Sequence, residues 1–456
     1  MRAIALGLGA ICLLASVRTS LTIVRRIPLN FNEGWNAYHT ADVAAGRPLY
    51  PDVSGVFFTN YPPLSFYVTA PLGHALGDHM IAGRLVALTA FVAWVVLVAV
   101  AARRLRCSWT TASFGALVLA ACMFVFSSFY VGVNDPQILG HALQAAGLVL
   151  LLRDKQTTAS LAACAGFFVA GVFVKNSLVA LPLAAVIWLW FEDRSAAGRL
   201  TVLGAVGGAC AAALCVAIFG PQIASHVFSP RGFIPSKAVL MGSQWILRML
   251  LPIGAAVWLA ASASRDRAVR FVCTYAAASI AVGLMFAVGE GVYWNTMFDA
   301  DCALALVGAV AVERASRRAA VATAFLAAPA IVILMSATIH WLSPRFWFDP
   351  HWSEAATAAS EIDFVRGRPG PALCEDLAVC YWAGKPLEVD YFNVQQRSRR
   401  EPWRVDALVR RLDAREFGVA EVQDDDRSLG PRFVDALRRN YRVDHESQWG
   451  VFWVPR

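Results

Sequence analysis

Two carboxylates lie in the first polar loops of a strongly apolar sequence. Glu33 follows the first apolar run, and Asp135 lies in a short turn after the third. The ionised form of a carboxylate is destabilised beside a low-dielectric membrane surface, which suits proton transfer near neutral pH. We predict that Glu33 is a general base acting on a hydroxyl and that Asp135 orients the acceptor or a divalent cation. The alternative for Glu33 is a charge that stabilises the start of a helix near Gly34.

Four basic residues are candidates for neutralising a phosphate. Lys175 closes a later apolar run, Arg231 and Lys237 belong to one long polar loop, and Arg84 lies one turn inside the second apolar run. Positive charge stabilises a departing phosphate, and long basic side chains can carry that charge to a membrane interface. The alternative is that these residues only anchor the ends of helices.

Further candidates could contact the substrate. Trp35 and Tyr61 could stack on sugar faces, although interfacial aromatic belts place such residues in the same way. Asn295 and Asp299 complete the predicted substrate-binding set. No CxxC or Cys/His pattern predicts a structural metal site, and two acids without a histidine cluster leave a divalent cation in catalysis open.

These residues are set in a polytopic membrane protein. Of 456 residues, 58% are hydrophobic and only 16% are charged, with a mean hydropathy of +0.53. Runs of about 20 apolar residues are typical of membrane-spanning helices. We predict eleven spans, at Ala3–Val24, Met80–Ala101, Thr111–Tyr130, Pro136–Leu152, Ala159–Val174, Asn176–Phe191, Leu200–Phe219, Val239–Ala261, Phe271–Val288, Met297–Val312 and Ala319–Trp341.

Charge clusters predict the orientation of these spans. The net charge of +8 is concentrated in clusters between every second pair of apolar runs, which orients helices and requires no nucleic-acid partner. With the amino terminus in the cytoplasm, these clusters lie inside, at residues 103–106, 153–155, 193–194, 265–270 and 313–318. The count requires Pro62 to Leu76 to be an interfacial helix, so residues 25–79 form the first external loop. Arginine-over-lysine usage is typical of a GC-rich bacterium, which predicts an inner-membrane protein whose candidate site faces the periplasm.

A change of composition after Trp341 divides the chain. We predict a transmembrane domain at residues 1–341 and a small extracytoplasmic α/β domain at residues 342–456. Alternating and helical patterns predict strands at Gly418–Val422 and Gly450–Val454 and helices at Val405–Leu412 and Phe433–Arg439, while Asp424 to Asp426 are typical of a solvated turn. Cys374 and Cys380 could form a disulfide if this domain is outside the cell, although sequence proximity does not establish the geometry.

Several separated motifs carry a family resemblance. The first loop has an acid, a Gly-x-Pro-x-Tyr turn and a Pro-Pro-Leu, and later loops supply an acid, a lysine and an aromatic-rich turn. They are Asn32-Glu33-Gly34, Gly46-Arg47-Pro48-Leu49-Tyr50, Tyr61-Pro62-Pro63-Leu64, Asn134-Asp135-Pro136, Lys175-Asn176, Tyr293-Trp294-Asn295 before Asp299, and more weakly Tyr381 to Pro386. The chain resembles the GT-C superfamily of integral-membrane glycosyltransferases that use polyprenyl-phosphate sugars, especially the protein mannosyltransferase and aminoarabinose transferase types.

The resemblance implies a GT-C-like helical fold and an enzyme that moves a sugar, with inversion, from a polyprenyl-phosphate donor to a hydroxyl of a lipid, glycan or protein. There are two departures, because the first-loop acid is often Asp and a basic residue often precedes the Pro-Pro, where this chain has Asn60-Tyr61. They leave open which sugar is moved and which group holds the phosphate. Two alternatives remain: a lipid or glycan transporter or flippase, and an O-antigen ligase or polymerase type that would use His226 and Arg231 of the long loop.

Overall fold

The computed structural model describes residues 1–52, 56–229, 231–335, 352–423 and 429–456. The chain is mostly helical. The helices before residue 336 are α1 (Arg2–Ile23), α2 (Asn32–Ala44), α3 (Leu64–Leu76), α4 (His79–Arg104), α5 (Trp109–Phe126), α6 (Gln137–Leu151), α7 (Thr158–Val174), α8 (Ala180–Glu192), α9 (Arg194–Phe219), α10 (Gln222–Val227), α11 (Pro235–Arg248), α12 (Leu250–Ala263), α13 (Arg267–Ala287), α14 (Phe298–Arg314) and α15 (Arg318–Met335).

Each predicted span falls on one of these helices or on a helix pair. Within the described ranges, six helices are long and apolar enough to cross a membrane, or seven if one bent pair counts as a span. Helices α6, α7 and α8 are apolar but shorter. The last predicted span begins in α15, and its end lies outside the described residues. The structure therefore confirms a helical membrane architecture, while length alone does not fix the number of crossings.

The predicted span at Val239–Ala261 falls on two helices joined by a bend. Helices α11 and α12 meet at Met249 with a bend of 74°. Pro252 lies in the first turn of α12, and its ring would clash with the carbonyl of Arg248 if one helix continued through this point. The chain therefore ends α11 at Arg248 and starts a new helix.

The loops alternate between two ends of the helix bundle. Loop residues 104–106, 152, 154 and 266–268 line one pocket, whereas residues 60–61, 175–177, 289, 291 and 292 line a cavity at the other end. This grouping is the one that the charge clusters predict. Helices α2 and α3 have 13 residues each, about 20 Å, which is shorter than the hydrocarbon core of a bilayer.

The carboxyl-terminal region is a small α/β domain, as predicted. Its elements are α16 (Trp352–Gly367), β1 (Ala372–Cys374), α17 (Leu377–Trp382), α18 (Tyr391–Ser398), α19 (Trp403–Asp413), β2 (Val419–Val422), α20 (Pro431–Asn440), β3 (Tyr441–Ser447) and β4 (Gly450–Pro455). The sheet order is β1-β2-β4-β3, with β1 parallel to β2 and the other pairs antiparallel. The predicted boundary after residue 341 and the turn at Asp424 to Asp426 lie outside the described residues.

Asp78 links the two regions. Its Oδ1 accepts hydrogen bonds from the backbone N–H groups of Met80 and Ile81, at 3.0 and 3.1 Å, and so caps the start of α4. Its Oδ2 accepts the indole N–H of Trp382 at 3.1 Å. One carboxylate thus stabilises a long apolar helix and holds α17 against it.

Cys374 and Cys380 form a disulfide that joins the end of β1 to α17. The bond closes a loop with a sequence separation of 6, and such a short loop stabilises by about 2 kcal/mol through the unfolded state. We expect the variant Cys374→Ala/Cys380→Ala to lower the unfolding free energy of the carboxyl-terminal domain by about this amount, measured by thermal unfolding with and without reductant. Cys210→Ala, which removes an exposed free thiol, is the control, and equal stability of both variants would contradict the expectation.

Candidate functional site

Glu33 and Arg84 form a buried ion pair between α2 and α4. The Arg84 Nε and Nη2 atoms donate to the two Glu33 carboxylate oxygens at 2.7 and 2.6 Å. The remaining Arg84 donors reach the backbone carbonyls of Ile23, Arg25 and Ile27. Because all five guanidinium N–H groups have acceptors and the side chain is 0% exposed, this geometry does not support the predicted phosphate contact of Arg84.

Glu33 is equally enclosed. Besides Arg84, its carboxylate accepts backbone N–H groups from Leu29 at 3.0 Å and Asn134 at 2.9 Å, and its side chain is 0% exposed. A general base must reach the proton that it removes. The geometry gives Glu33 a structural role, which is to hold the chain between α1 and α2 against α4, and its predicted role as a general base stays a prediction.

Asp135 is a neighbour of Glu33 through Asn134, as the sequence predicts for two acids at one end of the bundle. Its Oδ1 accepts the Lys175 ammonium at 3.3 Å and the Gln137 backbone N–H at 2.8 Å. Its Oδ2 has no hydrogen-bond partner within the described part of the chain. Neither acid lines the two large cavities of this end, and Asp135 contacts Lys175, which lines one of them.

Two adjoining cavities form a joined hollow at this end. The lysine cavity, about 380 Å³, extends from Lys175 and Asn176 to the 285–296 segment. The interface cavity, about 310 Å³, lies between the helix bundle and the carboxyl-terminal domain. Both are lined by Asn32, Asn60, Tyr61, Tyr130, Arg231 and Gly291. A molecule with two dissimilar ends can therefore occupy both cavities at once.

The lysine cavity combines positive charge with an apolar wall. The Lys175 ammonium lies 4.8 Å from the ring centroid of Tyr61 and 3.3 Å from Asp135. Arg231 lines the junction of the two cavities, 5.9 Å from the Phe392 ring. Phe228 is 75% exposed in the opposite wall. This arrangement suits an anionic group attached to a hydrocarbon chain.

The carboxylates that face the hollow come from the carboxyl-terminal domain. Asp390 lines the interface cavity, and its Oδ2 accepts the Trp35 indole N–H at 2.9 Å and the Asn393 side-chain amide at 2.6 Å. Asn60 donates in turn to Asn393 at 3.1 Å. Burial raises the pKa of Asp390 to about 6, although the hydrogen bonds from Asn393 and Trp35 oppose the shift. Glu375 is a second acid in the same wall.

The remaining predicted residues divide between the cavities and their surroundings. Trp35 and Tyr61 line the interface cavity, and Asn295 lines the lysine cavity. Asp299 lies in α14 and lines neither cavity. Its carboxylate accepts a hydrogen bond from the hydroxyl of Tyr275 in α13 at 2.8 Å. Lys237 also lies outside both cavities, and its ammonium donates hydrogen bonds to the carbonyl oxygens of Gly289 and Val292. The predicted phosphate contact of Lys237 therefore has no geometric support.

Helix α18 closes the hollow from the carboxyl-terminal side. Arg397 donates to the Ser225 carbonyl at 2.8 Å, and Arg399 pairs with Glu290 at 2.8 Å. Through these contacts, the segment before α11 and the loop after α13 both bind to α18 and the residue that follows it. We name this connection the α18 clasp, and it makes the domain part of the cavity wall.

His226, which an O-antigen ligase type would use, connects two loops in this structure. Its Nδ1 accepts the Thr59 backbone N–H at 3.1 Å, and its Nε2 lies 2.8 Å from the Pro51 carbonyl. The side chain is fully buried, and burial lowers its pKa. These contacts make His226 a structural tie of the first loop, whereas Arg231 from the same long loop does reach the hollow.

The described residues contain no group of three or more His, Cys, Asp or Glu side chains that could hold a metal ion. A divalent cation therefore stays a prediction. Asp135, with its unpartnered Oδ2, is the predicted residue that such an ion would contact.

Solved structures share this architecture. No family model and no curated protein sequence matches the chain. Crystal structures of ArnT from Cupriavidus metallidurans, bound to undecaprenyl phosphate and in the apo state, align with TM-scores of 0.66 and 0.68 at 16% and 15% identity, covering 98% of this chain and 97% of that chain. The chain has the GT-C fold.

A second GT-C structure gives the same result at greater distance. The apo oligosaccharyltransferase of Archaeoglobus fulgidus aligns with a TM-score of 0.55 at 11% identity, over 99% of this chain and 74% of that chain. At these identities the alignment shows the GT-C fold and does not assign an activity. The predicted resemblance is confirmed at the level of fold.

Sequence reasoning missed the carboxylates of the carboxyl-terminal domain. Asp390 meets Trp35 across 355 positions of sequence, and local patterns do not predict such a contact. A signal did exist for the ion pair, because Arg84 lies within a long apolar run and a buried arginine requires an acid partner. Glu33 and Asp78 both belong to the predicted external loop at that end of the apolar run.

Proposed function

We propose that the protein is a membrane glycosyltransferase that moves a sugar from a polyprenyl-phosphate donor to a hydroxyl acceptor at the end of the bundle that carries the carboxyl-terminal domain. The observation that carries this proposal is the joined hollow, which has cations and an apolar wall on one side and carboxylates on the other. The GT-C fold supports it, since a structural neighbour is described bound to undecaprenyl phosphate.

The donor would lie in the lysine cavity. Its phosphate would contact Lys175 and Arg231, and its hydrocarbon chain would leave past Phe228 and Met285, which are 75% and 59% exposed. Charge-assisted hydrogen bonds to phosphate are stronger than neutral ones. The sugar would then extend past Tyr61 into the interface cavity, where Trp35 can contact it.

The acceptor would enter the interface cavity. We propose that Asp390, which is only 2% exposed but lines the interface cavity, takes the proton of the acceptor hydroxyl while the acceptor oxygen forms a bond to the anomeric carbon. The bond from that carbon to the phosphate oxygen breaks on the opposite face, which inverts the configuration. The electron pair leaves with the polyprenyl phosphate, whose charge Lys175 and Arg231 stabilise.

We also propose which classes of acceptor could use the interface cavity. The cavity lies outside the helix bundle, so a glycolipid, a glycan or a protein hydroxyl could reach it. We place the protein in the inner membrane of a bacterium, with the hollow in the periplasm, because the arginine-rich loops gather at the other end.

Transfer is tested with purified protein in lipid nanodiscs, a panel of polyprenyl-phosphate sugars, and loss of sugar from the lipid as the readout. Consumption of at least one donor by the wild type supports the proposal. A protein that binds polyprenyl phosphate, consumes none of the panel and moves a labelled lipid across proteoliposomes would be a transporter instead.

We expect Lys175→Ala to weaken the binding of undecaprenyl phosphate about tenfold, since a hydrogen bond to a charged group contributes about 1.5–3 kcal/mol. Binding is measured by titration of the lipid into the nanodisc-embedded protein. Lys155→Ala, which removes an exposed lysine at the other end of the bundle, should bind normally. Equal affinity of Lys175→Ala and the wild type would reject the phosphate assignment.

A further inference from the structure

A basic pocket lies at the end of the bundle opposite the candidate active site. Its volume is about 190 Å³, and it is formed where α4, α6 and α14 end and where α13 begins. The charged residues that line it are Arg104, Arg106, Asp154, Asp266, Arg267 and Arg314. Because it lies at the ends of apolar helices, the pocket is at the depth of lipid headgroups.

Part of this charge is used within the fold. Arg314 Nη2 donates to Asp266 Oδ2 at 2.7 Å. Asp266 Oδ1 accepts backbone N–H groups from Ala268 and Val269, at 2.8 and 3.1 Å, and caps α13. These two residues therefore build the wall of the pocket. Their charges are satisfied and do not require a ligand.

Three arginines remain. Arg104 and Arg106 are exposed, and their guanidinium groups make no hydrogen bond or ion pair with another described residue. Arg267 lies 4.9 Å from the Trp188 ring, with its nearest carboxylate at 3.9 Å. Two further acids stand against these three charges: Asp154 in the pocket and Glu192, which pairs with Arg267 and also with Arg270. The unsatisfied charge is positive.

The backbone at Arg106 is a second, independent observation. Its φ is +67°, and it occupies the first position after the cap of α4, where the N–H groups of Arg106 and Cys107 bond back to Arg103 and Ala102. Glycine is the usual residue there, since a side chain in this conformation costs about 1 kcal/mol or more. A strained turn therefore carries an arginine that lines the pocket.

A similar turn elsewhere gives a comparison. Arg415 has a φ of +55° after α19, and its guanidinium donates to the carbonyl oxygen of Arg456 at 2.9 Å. There the strained arginine has a partner within the chain. At Arg106 no described residue supplies such a partner, and the guanidinium fork is suited to a phosphate.

We propose that Arg104, Arg106 and Arg267 form a phosphate-binding site for the headgroup of an anionic phospholipid. The volume fits a headgroup phosphate, and the position next to the ends of α4 and α13 lets the acyl chains lie along the helices. This proposal does not depend on sugar transfer, so the result of its test does not bear on the proposed function. A free phosphate has the same chemistry and is the alternative that the experiment must separate.

The test uses Arg106→Gly in the full-length chain. Glycine relieves the positive φ, so we expect this variant to unfold in lipid-free detergent at the same temperature as the wild type or higher. Native mass spectrometry of delipidated protein, titrated with phosphatidylglycerol, should show binding weakened about tenfold. Phosphatidylcholine binding should be equal in the two proteins.

Two arms decide between the explanations. Arg153→Ala removes an exposed positive charge from the same end outside the pocket and should keep phosphatidylglycerol binding, whereas an equal loss would mean unspecific attraction and would overturn the site. Inorganic phosphate that binds the wild type and displaces phosphatidylglycerol at equal concentration would overturn the assignment to a lipid. Unchanged binding in Arg106→Gly would overturn the proposal entirely.

Discussion

Replacing Arg84 by methionine is expected to lower the unfolding free energy of the helix bundle by about 3–5 kcal/mol, because it leaves the buried charge of Glu33 without a partner. The carboxylate would keep only two backbone N–H donors, from Leu29 and Asn134. Thermal unfolding of the purified protein in detergent, together with the yield of folded protein, measures the effect.

The control is an exposed pair of the same chemistry. Arg47 pairs with Asp42 at 2.7 Å and is 60% exposed, so Arg47→Met should cost less than about 1 kcal/mol. The double variant Arg84→Met/Glu33→Leu should regain most of the loss, since apolar residues can replace a buried pair.

Glu33→Gln separates a structural role from a catalytic one. The enclosed geometry predicts a loss of stability that accompanies any loss of transfer. A variant that folds with wild-type stability and yet fails to transfer sugar would instead restore Glu33 as the base that the sequence predicts.

The second large effect is expected at Asp390. Asp390→Asn should lower turnover about 100-fold or more, which is within the range that a positioned general base contributes, while leaving the affinity for polyprenyl phosphate unchanged. Burial raises the pKa of Asp390 to about 6. A base acts in its ionised form, so wild-type turnover should rise as the pH increases through about 6 and then level off.

The pH profile is what distinguishes catalysis from packing. Asp390→Asn should lose the rising limb near pH 6, and Asp413→Asn, at a partly exposed carboxylate of the same domain, should keep it. If Asp390→Asn retains both turnover and the limb, the base lies elsewhere, and Glu375, the second acid of the interface cavity, becomes the next residue to replace.

Long-range pairing explains where prediction from the sequence stopped. The helices, their grouping at two ends and the carboxyl-terminal strands follow from local periodicity and charge, which the chain carries within about 20 residues. The partner of Glu33 is 51 positions away, and Trp35 meets Asp390 across 355 positions. Periodicity contains no information on such contacts. The sequence therefore predicts catalysis by both acids of the first loops and does not reveal that Arg84 donates to both carboxylate oxygens of Glu33.

The disulfide shows the opposite case. Cys374 and Cys380 are close in sequence, and the turn from β1 into α17 brings their side chains together. The sequence left this pairing open, and the geometry that decides it lies within a few residues of the two cysteines. The bend at Met249 also has a local cause, because Pro252 lies within the apolar run and cannot continue the preceding helix.

The α18 clasp has a consequence for biosynthesis. The residues that complete the hollow, Asp390 to Arg399, follow α1 to α15 in the chain and are therefore synthesised after them. A nascent chain has a bundle with an open cleft until α18 folds against Ser225 and Glu290. We expect a chain truncated before residue 390 to keep its helices and to lack this wall of the hollow.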